Sequence, residues 1–505
     1  MTAPAQAQEP RPAEAAAPRP TVPANRHAGV PSARARALTD GFRAAIARWT
    51  DEARRLSKGK AHGGNVRVAA CVRALDSGEE LVALRADELQ TPASNMKLAT
   101  TAAALILLGR GAEWVTPFEA AGALAGGTLS GDLLVRAAGD PLYDASGRGQ
   151  VEERLRAVAR ELRGQGLRRV TGDLVLDEGT FETPGPGPAW PDPSQHWAEY
   201  CALSGGFSAN AGVLVAEVRA GAVGGAARLA VHPSPHGLAS AYGVRTVAGG
   251  KVDVRVGATR STVTVKGTLG KDLGEYRAEF AHPDPVAWFG ALVQDALRTE
   301  GIALEGTVRR ARGLPAGRVL ATLRSPLAPC LDGINAESRN ALADQVFLSL
   351  GHAVAGAGTR AGAAQAVQGA LERLGLPASS VRQVDGSGLS REDRASARAL
   401  CALLERVLGS DPATARLYRD SLAVMGQKGT LEGRLRGSPA EGRVFAKTGW
   451  IAGVSALSGY AEPERAPRCV FSILIEYPEE LGGLNTSCFK PLQDELVALL
   501  FDEGA

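Results

Sequence analysis

Residues 92–98 of this 505-residue chain have the sequence PASNMKL, and the apolar residues after them predict a buried helix from Asn95 to Leu108. Ser94 stands at the start of that helix, where a hydroxyl residue is favoured, and Lys97 follows three positions later. Residues at positions i and i+3 of a helix lie side by side, so the lysine amine can reach the serine hydroxyl. An apolar setting lowers the pKa of a lysine, and the first turn of a helix offers free N–H groups to an oxyanion. The stretch therefore predicts a serine nucleophile with its own base.

The pattern S-x-x-K occurs twice more, at residues 57–60 and at residues 487–490. The first lies in the polar, glycine-rich exit of a helix predicted over residues 37–56, where its lysine would stay in water. The second follows two glycines, and we interpret its serine as the cap of the last helix. Only Ser94 combines a helix start, a neighbouring lysine and an apolar helix behind both.

A second candidate motif is SRN at residues 338–340, which follows an Asp-Gly pair and opens a predicted helix. This arrangement places the hydroxyl of Ser338 and the amide of Asn340 at one turn. The triplet SAN at residues 208–210 has the same pattern but runs into a valine-rich strand. We interpret that triplet as a turn at the strand entry.

A third motif, KTG at residues 447–449, follows a predicted strand and occurs once in the chain. The cationic side chain of Lys447 and the hydroxyl of Thr448 suit a bound carboxylate. Gly449 would let a substrate backbone come close to the strand edge. The three motifs together are far more specific than any one of them.

The composition excludes several functional classes. The chain has 57 basic and 54 acidic residues, a net charge of +3, and no long basic stripe, so we expect no nucleic-acid binding. No run of 18 apolar residues exists, so we expect no transmembrane segment. The six cysteines stand singly, and two prolines separate His232 from His236, so we predict neither a metal site nor a cofactor.

The order of predicted elements indicates an α/β (α+β) protein with a discontinuous domain. Residues 1–36 are rich in Ala and Pro, which predicts disorder, and they lack the apolar core of a signal peptide. Residues 37–114 and 326–505 carry long helical patterns and a few strands, and we expect them to form one domain. Residues 115–325 are predicted to form an inserted, mostly β region that consists of two subdomains. Helices are predicted at residues 151–162, 284–299, 340–350, 360–374, 391–408 and 490–501, and closing strands at residues 443–447, 452–460 and 469–477.

The order S-x-x-K, S-x-N, K-T-G is the motif set of serine β-lactamases and penicillin-binding proteins. The chain resembles the low-molecular-mass class C penicillin-binding proteins, the D-Ala-D-Ala carboxypeptidase/endopeptidase family, from about residue 40 to residue 503. The long separation of the first two motifs also resembles that family, whose extra domains lie between them. Further similar segments are Gly139-Asp140-Pro141, DGSGLSR at residues 385–391, Gly429 to Leu431 with Arg434, and Gly453-Val454.

The resemblance implies a penicillin-binding-protein/serine β-lactamase-like transpeptidase domain and acyl transfer on peptides that end in D-Ala-D-Ala. Ser94 would attack the penultimate carbonyl and Lys97 would accept its proton. Ser338 would relay a proton to the leaving amine, and Asn340 would hold the Lys97 amine and the substrate amide. A second group would bind substrate: Lys447 and Thr448 would fix the terminal carboxylate beside Gly449, and the N–H groups of Ser94 and Trp450 would form the oxyanion hole.

The resemblance also implies peptidoglycan peptides as substrates, β-lactams as inhibitors, and a periplasmic or other extracytoplasmic location. Two positions depart from the family pattern. Trp450 is bulkier than the expected threonine or serine, which puts substrate preference beside it in question, and Arg339 replaces a familiar aspartate. The oligomeric state, any disulfides and the balance of exo- and endo-cleavage stay open.

Three alternatives remain from the sequence. A serine β-lactamase would use the same chemistry, but we identify no separate deacylation base. A non-catalytic peptidoglycan-binding protein could share the fold, although it would not need Ser94, Lys97 and Lys447. An esterase should contain the G-x-S-x-G motif, and Ser387 in the segment DGSG lacks that spacing.

Overall fold

The computed structural model describes residues 31–144 and 150–502. Its helices are α1 Ala33–Leu56, α2 Lys97–Leu107, α3 Gln150–Gly164, α4 Pro285–Thr299, α5 Ala328–Asn335, α6 Asn340–Ala355, α7 Arg360–Arg373, α8 Ala397–Leu408, α9 Pro412–Asp420 and α10 Lys490–Leu499. The first strands are β1 Arg67–Ala74, β2 Glu80–Leu84, β3 Glu113–Ala125, β4 Thr128–Arg136, β5 Arg169–Val170, β6 Leu174–Asp177, β7 Val213–Arg219, β8 Arg228–His232, β9 Ala239–Val247 and β10 Val252–Ala258. The remaining strands are β11 Thr262–Gly270, β12 Glu275–Ala281, β13 Ala303–Leu304, β14 Val308–Ala311, β15 Arg318–Pro326, β16 Val381–Arg382, β17 Arg394–Ala395, β18 Ala423–Val424, β19 Val444–Ile451, β20 Val454–Ala461 and β21 Cys469–Glu476.

A six-stranded sheet joins the two ends of the chain, in the order β18-β19-β20-β21-β1-β2. All its neighbouring strands are antiparallel, and β1 pairs with β21 along its whole length, from Arg67 opposite Glu476 to Ala74 opposite Cys469. The sheet therefore places the third motif, in β19, in the same layer as the N-terminal strands.

The sheet is covered on both faces because its strands are apolar on both sides. Ala69 and Cys71 of β1 belong to a core cluster that also includes residues of α2, α6 and α8. The alternate residues Ala70 and Val72 face a second cluster, which includes Phe42 of α1 and residues of α10. Successive side chains alternate between the two faces because the strand is pleated. Helix α2 lies in the cluster on the first face and is buried almost throughout.

The middle of the chain forms separate sheets with their own core. Strands β3–β6 and β13–β15 make a seven-stranded sheet, β7, β8 and β12 make a three-stranded sheet, and β9, β10 and β11 make another. Helices α3 and α4 pack together over this region, around fully buried aromatic side chains such as Trp288 and Phe280. The predicted α/β class with a mostly β middle part is confirmed. The division into residues 37–114 plus 326–505 and residues 115–325 stays a prediction, which the chain-end sheet supports.

Several predicted boundaries were wrong. The first helix begins at Ala33, so residues 33–36 do not belong to the segment predicted to be disordered, and residues 1–30 lie outside the described residues. The helix predicted from residue 391 begins only at Ala397, since the preceding residues include β17 and the Ser396 cap, which accepts from the N–H of Ala399 at 3.1 Å. Strand β19 extends to Ile451, four residues past its predicted end, so the KTG motif lies inside the strand. Within residues 31–144 and 150–502 we find no helix with the length and apolar character needed to cross a bilayer.

Candidate active site

Ser94 lies in one turn of 3₁₀ helix, Ala93–Met96, which leads directly into α2. The residue at the N-cap of this turn is Pro92, and no side chain caps it, so the Ser94 hydroxyl does not serve as a helix cap. The Ser94 Oγ instead accepts a hydrogen bond from the Nζ of Lys97 at 3.0 Å. The serine is half-buried, whereas α2 behind it is buried almost throughout.

Lys97 is fully buried, and its amine makes three hydrogen bonds to described atoms. Besides the Ser94 Oγ, it donates to the Oδ1 of Asn340 at 2.7 Å and to the carbonyl oxygen of Ser387 at 2.6 Å. Burial lowers the pKa of Lys97 to about 8, because a charged amine loses its hydration there, and nearby buried aspartates act in the opposite direction. Lys97 thus combines the contact and the proton affinity that a general base for Ser94 needs.

The second motif lies between α5 and α6 and faces the first. Ser338 adopts a φ of +65°, a left-handed conformation that is uncommon for a residue other than glycine and that often marks functional sites. Asn340, the first residue of α6, bridges two parts of the chain, because its Oδ1 accepts from Lys97 and its Nδ2 donates to the carbonyl of Tyr200 at 3.0 Å.

Arg339, the middle residue of this motif, points away from the lysine. Its guanidinium forms a two-point ion pair with Glu279 of β12, at 2.9 and 3.2 Å, and a further pair with Glu337 at 2.7 Å. It also lies 5.8 Å from the ring centre of Tyr143. The replacement of the familiar aspartate therefore adds a polar link between the second motif and the inserted region and leaves the reacting groups unobstructed.

Lys447 of the third motif is also fully buried. Its Nζ donates to the Oγ of Ser338 at 2.8 Å and to the carbonyl of Thr448 at 2.9 Å. Burial, with repulsion from Lys97 as a second cause, lowers the pKa of Lys447 well below its usual value. Lys447 thus contacts Ser338, whereas the sequence analysis assigned it to a bound carboxylate.

The remainder of the third motif lines the open side of β19. The hydroxyl of Thr448 donates to the Oγ1 of Thr430 at 2.8 Å, in the Gly429–Leu431 turn. Gly449 packs so closely on the first motif that an added Cβ would lie 2.8 Å from the Asn95 Nδ2 and 2.9 Å from a backbone oxygen. Among the described strands, β19 pairs with β18 only through Phe445 and Ala446, so its edge is open from Lys447 onward.

The segment DGSG at residues 385–388 lies against α2 and contacts Lys97. The carboxylate of Asp385 accepts from the N–H groups of Ser387 at 3.1 Å, Gly388 at 2.6 Å and Ser390 at 2.8 Å, which fixes the turn. Gly388, with φ +77°, lies against the backbone of Ala93, where a Cβ would be 1.9 Å from the carbonyl oxygen. This tight turn aims the carbonyl of Ser387 at Lys97.

The structure brings the predicted site residues together in two hydrogen-bonded sets, Ser94–Lys97–Asn340 and Ser338–Lys447, which are joined through the backbone of the second motif. Thr448 and Gly449 line the same edge, and Trp450 is 55% exposed beside them. Ser387, Thr430 and Asp344 also contribute to this region and lie outside the three motifs, although Ser387 and Thr430 belong to the family-like segments at residues 385–391 and 429–431. A cavity of about 160 Å³ adjoins Ser338 and Asn340 and continues toward Tyr200 and Glu199 of the inserted region.

Residues 31–144 and 150–502 contain no group of three or more His, Cys, Asp or Glu side chains arranged to hold a metal ion. The amine, hydroxyl and amide groups around Ser94 are sufficient for acid–base chemistry on a serine nucleophile. The six cysteines are buried as free thiols.

Comparison with known proteins identifies relatives that cover most of the chain. The sequence is 34% identical over 425 residues to a D-alanyl-D-alanine carboxypeptidase from Actinomadura sp. strain R39, covering 79% of this chain and 75% of that protein. It is 28% identical over 395 residues to D-alanyl-D-alanine carboxypeptidase DacB from Haemophilus influenzae, covering 75% of this chain and 79% of that protein.

Solved structures show the same fold. The crystal structure of penicillin binding protein 4 (dacB) from Haemophilus influenzae superposes with a TM-score of 0.73 at 23% identity, covering 90% of this chain and 98% of that one. A second crystal structure of that protein is of its complex with a β-lactam and gives a TM-score of 0.67 at 22% identity, covering 89% of this chain and 98% of that one. The family model for the D-Ala-D-Ala carboxypeptidase 3 (S13) family matches residues 54–488. The chain therefore belongs to the D-Ala-D-Ala carboxypeptidase 3 (S13) family.

Proposed function

We propose that this S13 enzyme hydrolyses peptidoglycan stem peptides ending in D-Ala-D-Ala, as a carboxypeptidase or endopeptidase, through an acyl-enzyme on Ser94. The observation that carries the proposal is the buried amine of Lys97, 3.0 Å from the Ser94 Oγ and with a pKa lowered to about 8. A neutral amine at this position can take the hydroxyl proton as the serine attacks.

The reaction has two halves. In the first, the Ser94 Oγ bonds to the penultimate carbonyl carbon, its proton passes to Lys97, and the bond to the terminal D-alanine nitrogen breaks. The proton held by Lys97 then passes to the leaving amine through Ser338, which the hydrogen bond from Lys447 orients. In the second half, water attacks the acyl carbon and gives one proton to Lys97. The bond between that carbon and the Ser94 Oγ breaks, the shortened peptide leaves as the carboxylic acid, and Lys97 returns the proton to the Ser94 Oγ.

Substrate binding uses the open edge of β19. An extended peptide can add to such an edge by backbone hydrogen bonds, and the Thr448 hydroxyl would exchange its hydrogen bond to Thr430 for one to the terminal carboxylate. Lys447 is buried behind Ser338 and donates a hydrogen bond to its hydroxyl. Lys447 would therefore act on the bound carboxylate through Ser338 and not by direct contact. The N–H groups of Ser94 and Trp450 supply the oxyanion hole, in which one lost donor typically costs about 10²–10³ in rate.

The substrate class and the inhibitors follow from this assignment. Stem peptides are found outside the cytoplasm, so we place the enzyme there, in the periplasm or an equivalent compartment. β-Lactams should acylate Ser94, as the complex of the Haemophilus protein suggests for a shared fold. A serine β-lactamase is the second candidate, because it uses the same serine and lysine, and it would release the acyl group rapidly.

Intact-mass measurement after incubation with benzylpenicillin tests the proposal. We expect one covalent adduct on the wild type and none on Ser94→Ala. The control Ser487→Ala alters an exposed serine in one of the two further S-x-x-K segments and should be labelled like the wild type. Equal labelling of wild type and Ser94→Ala would refute the nucleophile. Release of D-alanine from a D-Ala-D-Ala peptide together with a long-lived adduct supports the peptidase, and fast nitrocefin turnover would support the β-lactamase instead.

A further inference from the structure

We propose that Asp344 is a positioning residue for acylation: it holds the loop that gives Lys97 its third hydrogen-bond acceptor, and its negative charge controls how readily Lys97 releases a proton. This inference rests on the proposed function, in which Lys97 is the base for Ser94. Neither Asp344 nor its role follows from the three motifs.

The geometry connects Asp344 to Lys97 through helix α6. Asn340 and Asp344 are four positions apart on this helix and therefore lie on one face. Asn340 accepts directly from the Lys97 amine at 2.7 Å. The Oδ1 of Asp344 accepts from the N–H of Gly386 at 2.8 Å, and the carbonyl of the next residue, Ser387, accepts from Lys97 at 2.6 Å. One helix face thus fixes two of the three acceptors that surround the amine.

Close packing and a second hydrogen bond also restrict the position of this loop. A Cβ on Gly386 would lie 2.3 Å from the carbonyl oxygen of Ala343, so the loop backbone lies directly on α6. On the other side, the Thr100 hydroxyl of α2 donates to the Gly386 carbonyl at 2.7 Å. The loop is therefore clamped between the helix of the base and the helix of Asn340, and Asp344 supplies the polar contact on the α6 side.

Asp344 is also a deeply buried carboxylate. It is 3% exposed, and it interacts with the N–H of Gly386 and with the side chain of Ser387. The charged groups that act on it are Lys97 of α2, Asp385 of the loop and Arg360 of α7. Burial, and next the charge of Asp385, raise the pKa of Asp344 to about 7, while Arg360 and Lys97 oppose the rise.

The charge of Asp344 in turn acts on the base. Among the carboxylates that raise the pKa of Lys97, Asp344 has the largest effect, ahead of Asp385 and Asp393. Asp385 accepts from the N–H groups of Ser387 and Gly388, whereas Asp344 accepts from one N–H group, that of Gly386. Loss of the Asp344 charge removes stabilisation of the protonated amine, so the pKa of Lys97 falls and its neutral form persists to lower pH.

The variant Asp344→Asn separates charge from shape, because an asparagine Oδ1 can still accept from Gly386. We expect the midpoint of the profile of acylation rate against pH to move down by about half a pH unit, because the Asp344 carboxylate is charged only near and above pH 7, where Lys97 also titrates. Near pH 6 and below, the two profiles should converge, since Asp344 of the wild type is then protonated. The measurement is the second-order rate constant for benzylpenicillin across pH 5 to 10, by intact mass. The matched control is Asp295→Asn in α4, an aspartate paired with Arg298 in the inserted region, which should leave the profile unchanged.

Asp344→Ala provides a second measurement if the asparagine variant does not fold, since it removes the charge without burying an amide at this position. It should show the same shift with a lower plateau, because the loop loses its tether, and asparagine should restore the plateau. A midpoint that does not move in either variant overturns the inference, since a purely structural role would lower the plateau alone. Failure of the wild type to be labelled at any pH would instead overturn the proposed function.

Discussion

The Nζ of Lys447 lies 2.8 Å from the Oγ of Ser338, a residue 109 positions earlier, and this hydrogen bond joins the third motif to the second. Asn340 and Lys97 join the second motif to the first in the same way. The reacting group is therefore a chain of two hydrogen-bonded sets, Ser94–Lys97–Asn340 and Ser338–Lys447, which the backbone of residues 338–340 links.

Ser338→Ala interrupts this chain at its centre. It removes the proton relay and leaves the buried Lys447 amine with one acceptor fewer, so we expect the benzylpenicillin acylation rate to fall by about 10²–10⁴-fold. The melting temperature should change little in comparison, because Ser338 is only partly buried. An acylation rate within twofold of the wild type would exclude Ser338 from the relay.

The pH dependence of the wild type follows from Lys97. Burial lowers the pKa of Lys97 to about 8, and the neutral amine is the active form, so the acylation rate should rise with pH up to about 8 and then level off. Below that value, the acylation rate should fall about tenfold for each pH unit by which the pH is lowered. A rate that is flat from pH 5 to 9 would show that deprotonation of Lys97 does not limit acylation.

Gly449→Ala tests the contact between the third and first motifs. The new Cβ would lie 2.8 Å from the Asn95 side chain and 2.9 Å from the Pro92 carbonyl oxygen, so β19 must move away from the Ser94 turn. We expect acylation to fall by at least about tenfold, since small misplacements of reacting groups are costly. The control is Gly433→Ala, where a Cβ meets nothing within 4 Å, and it should acylate normally.

Gly388→Ala tests the packing of the DGSG turn. A left-handed conformation alone costs an alanine about 1–2 kcal/mol. At Gly388 the Cβ would in addition lie 1.9 Å from the Ala93 carbonyl oxygen, whereas at Gly437, with a similar φ of +73°, it meets nothing within 4 Å. Denaturant unfolding should therefore show a clearly larger loss of stability for Gly388→Ala than for Gly437→Ala. Equal losses would mean that the turn yields without cost.

The sequence predicted the parts of the site that depend on local spacing. The pair Ser94 and Lys97 sits on one helical turn, so their contact follows from i and i+3 geometry, and the family resemblance and the fold class are confirmed. The roles assigned to the site residues stay predictions until they are tested.

Long-range contacts were the part that the sequence could not predict. The third acceptor of Lys97 is the backbone carbonyl of Ser387, and a carbonyl is the same in every residue. Asp344 was missed because its significance depends on burial, which an aspartate within a helix pattern does not reveal. Strand β19 was predicted too short because Gly449 weakens a strand pattern, although here it allows close packing.

The antiparallel pairing of β1 with β21 has a consequence for the order in which this enzyme becomes active. During synthesis, the nucleophile and its base emerge early, but Ala74 acquires its sheet partner only when Cys469 has been made. Pairing across so long a separation is slow, and it is completed late in folding. A nascent or truncated chain that lacks β21 thus contains the serine and the lysine without a complete sheet behind them. We therefore expect peptidase activity only after β21 has been synthesised and has paired with β1.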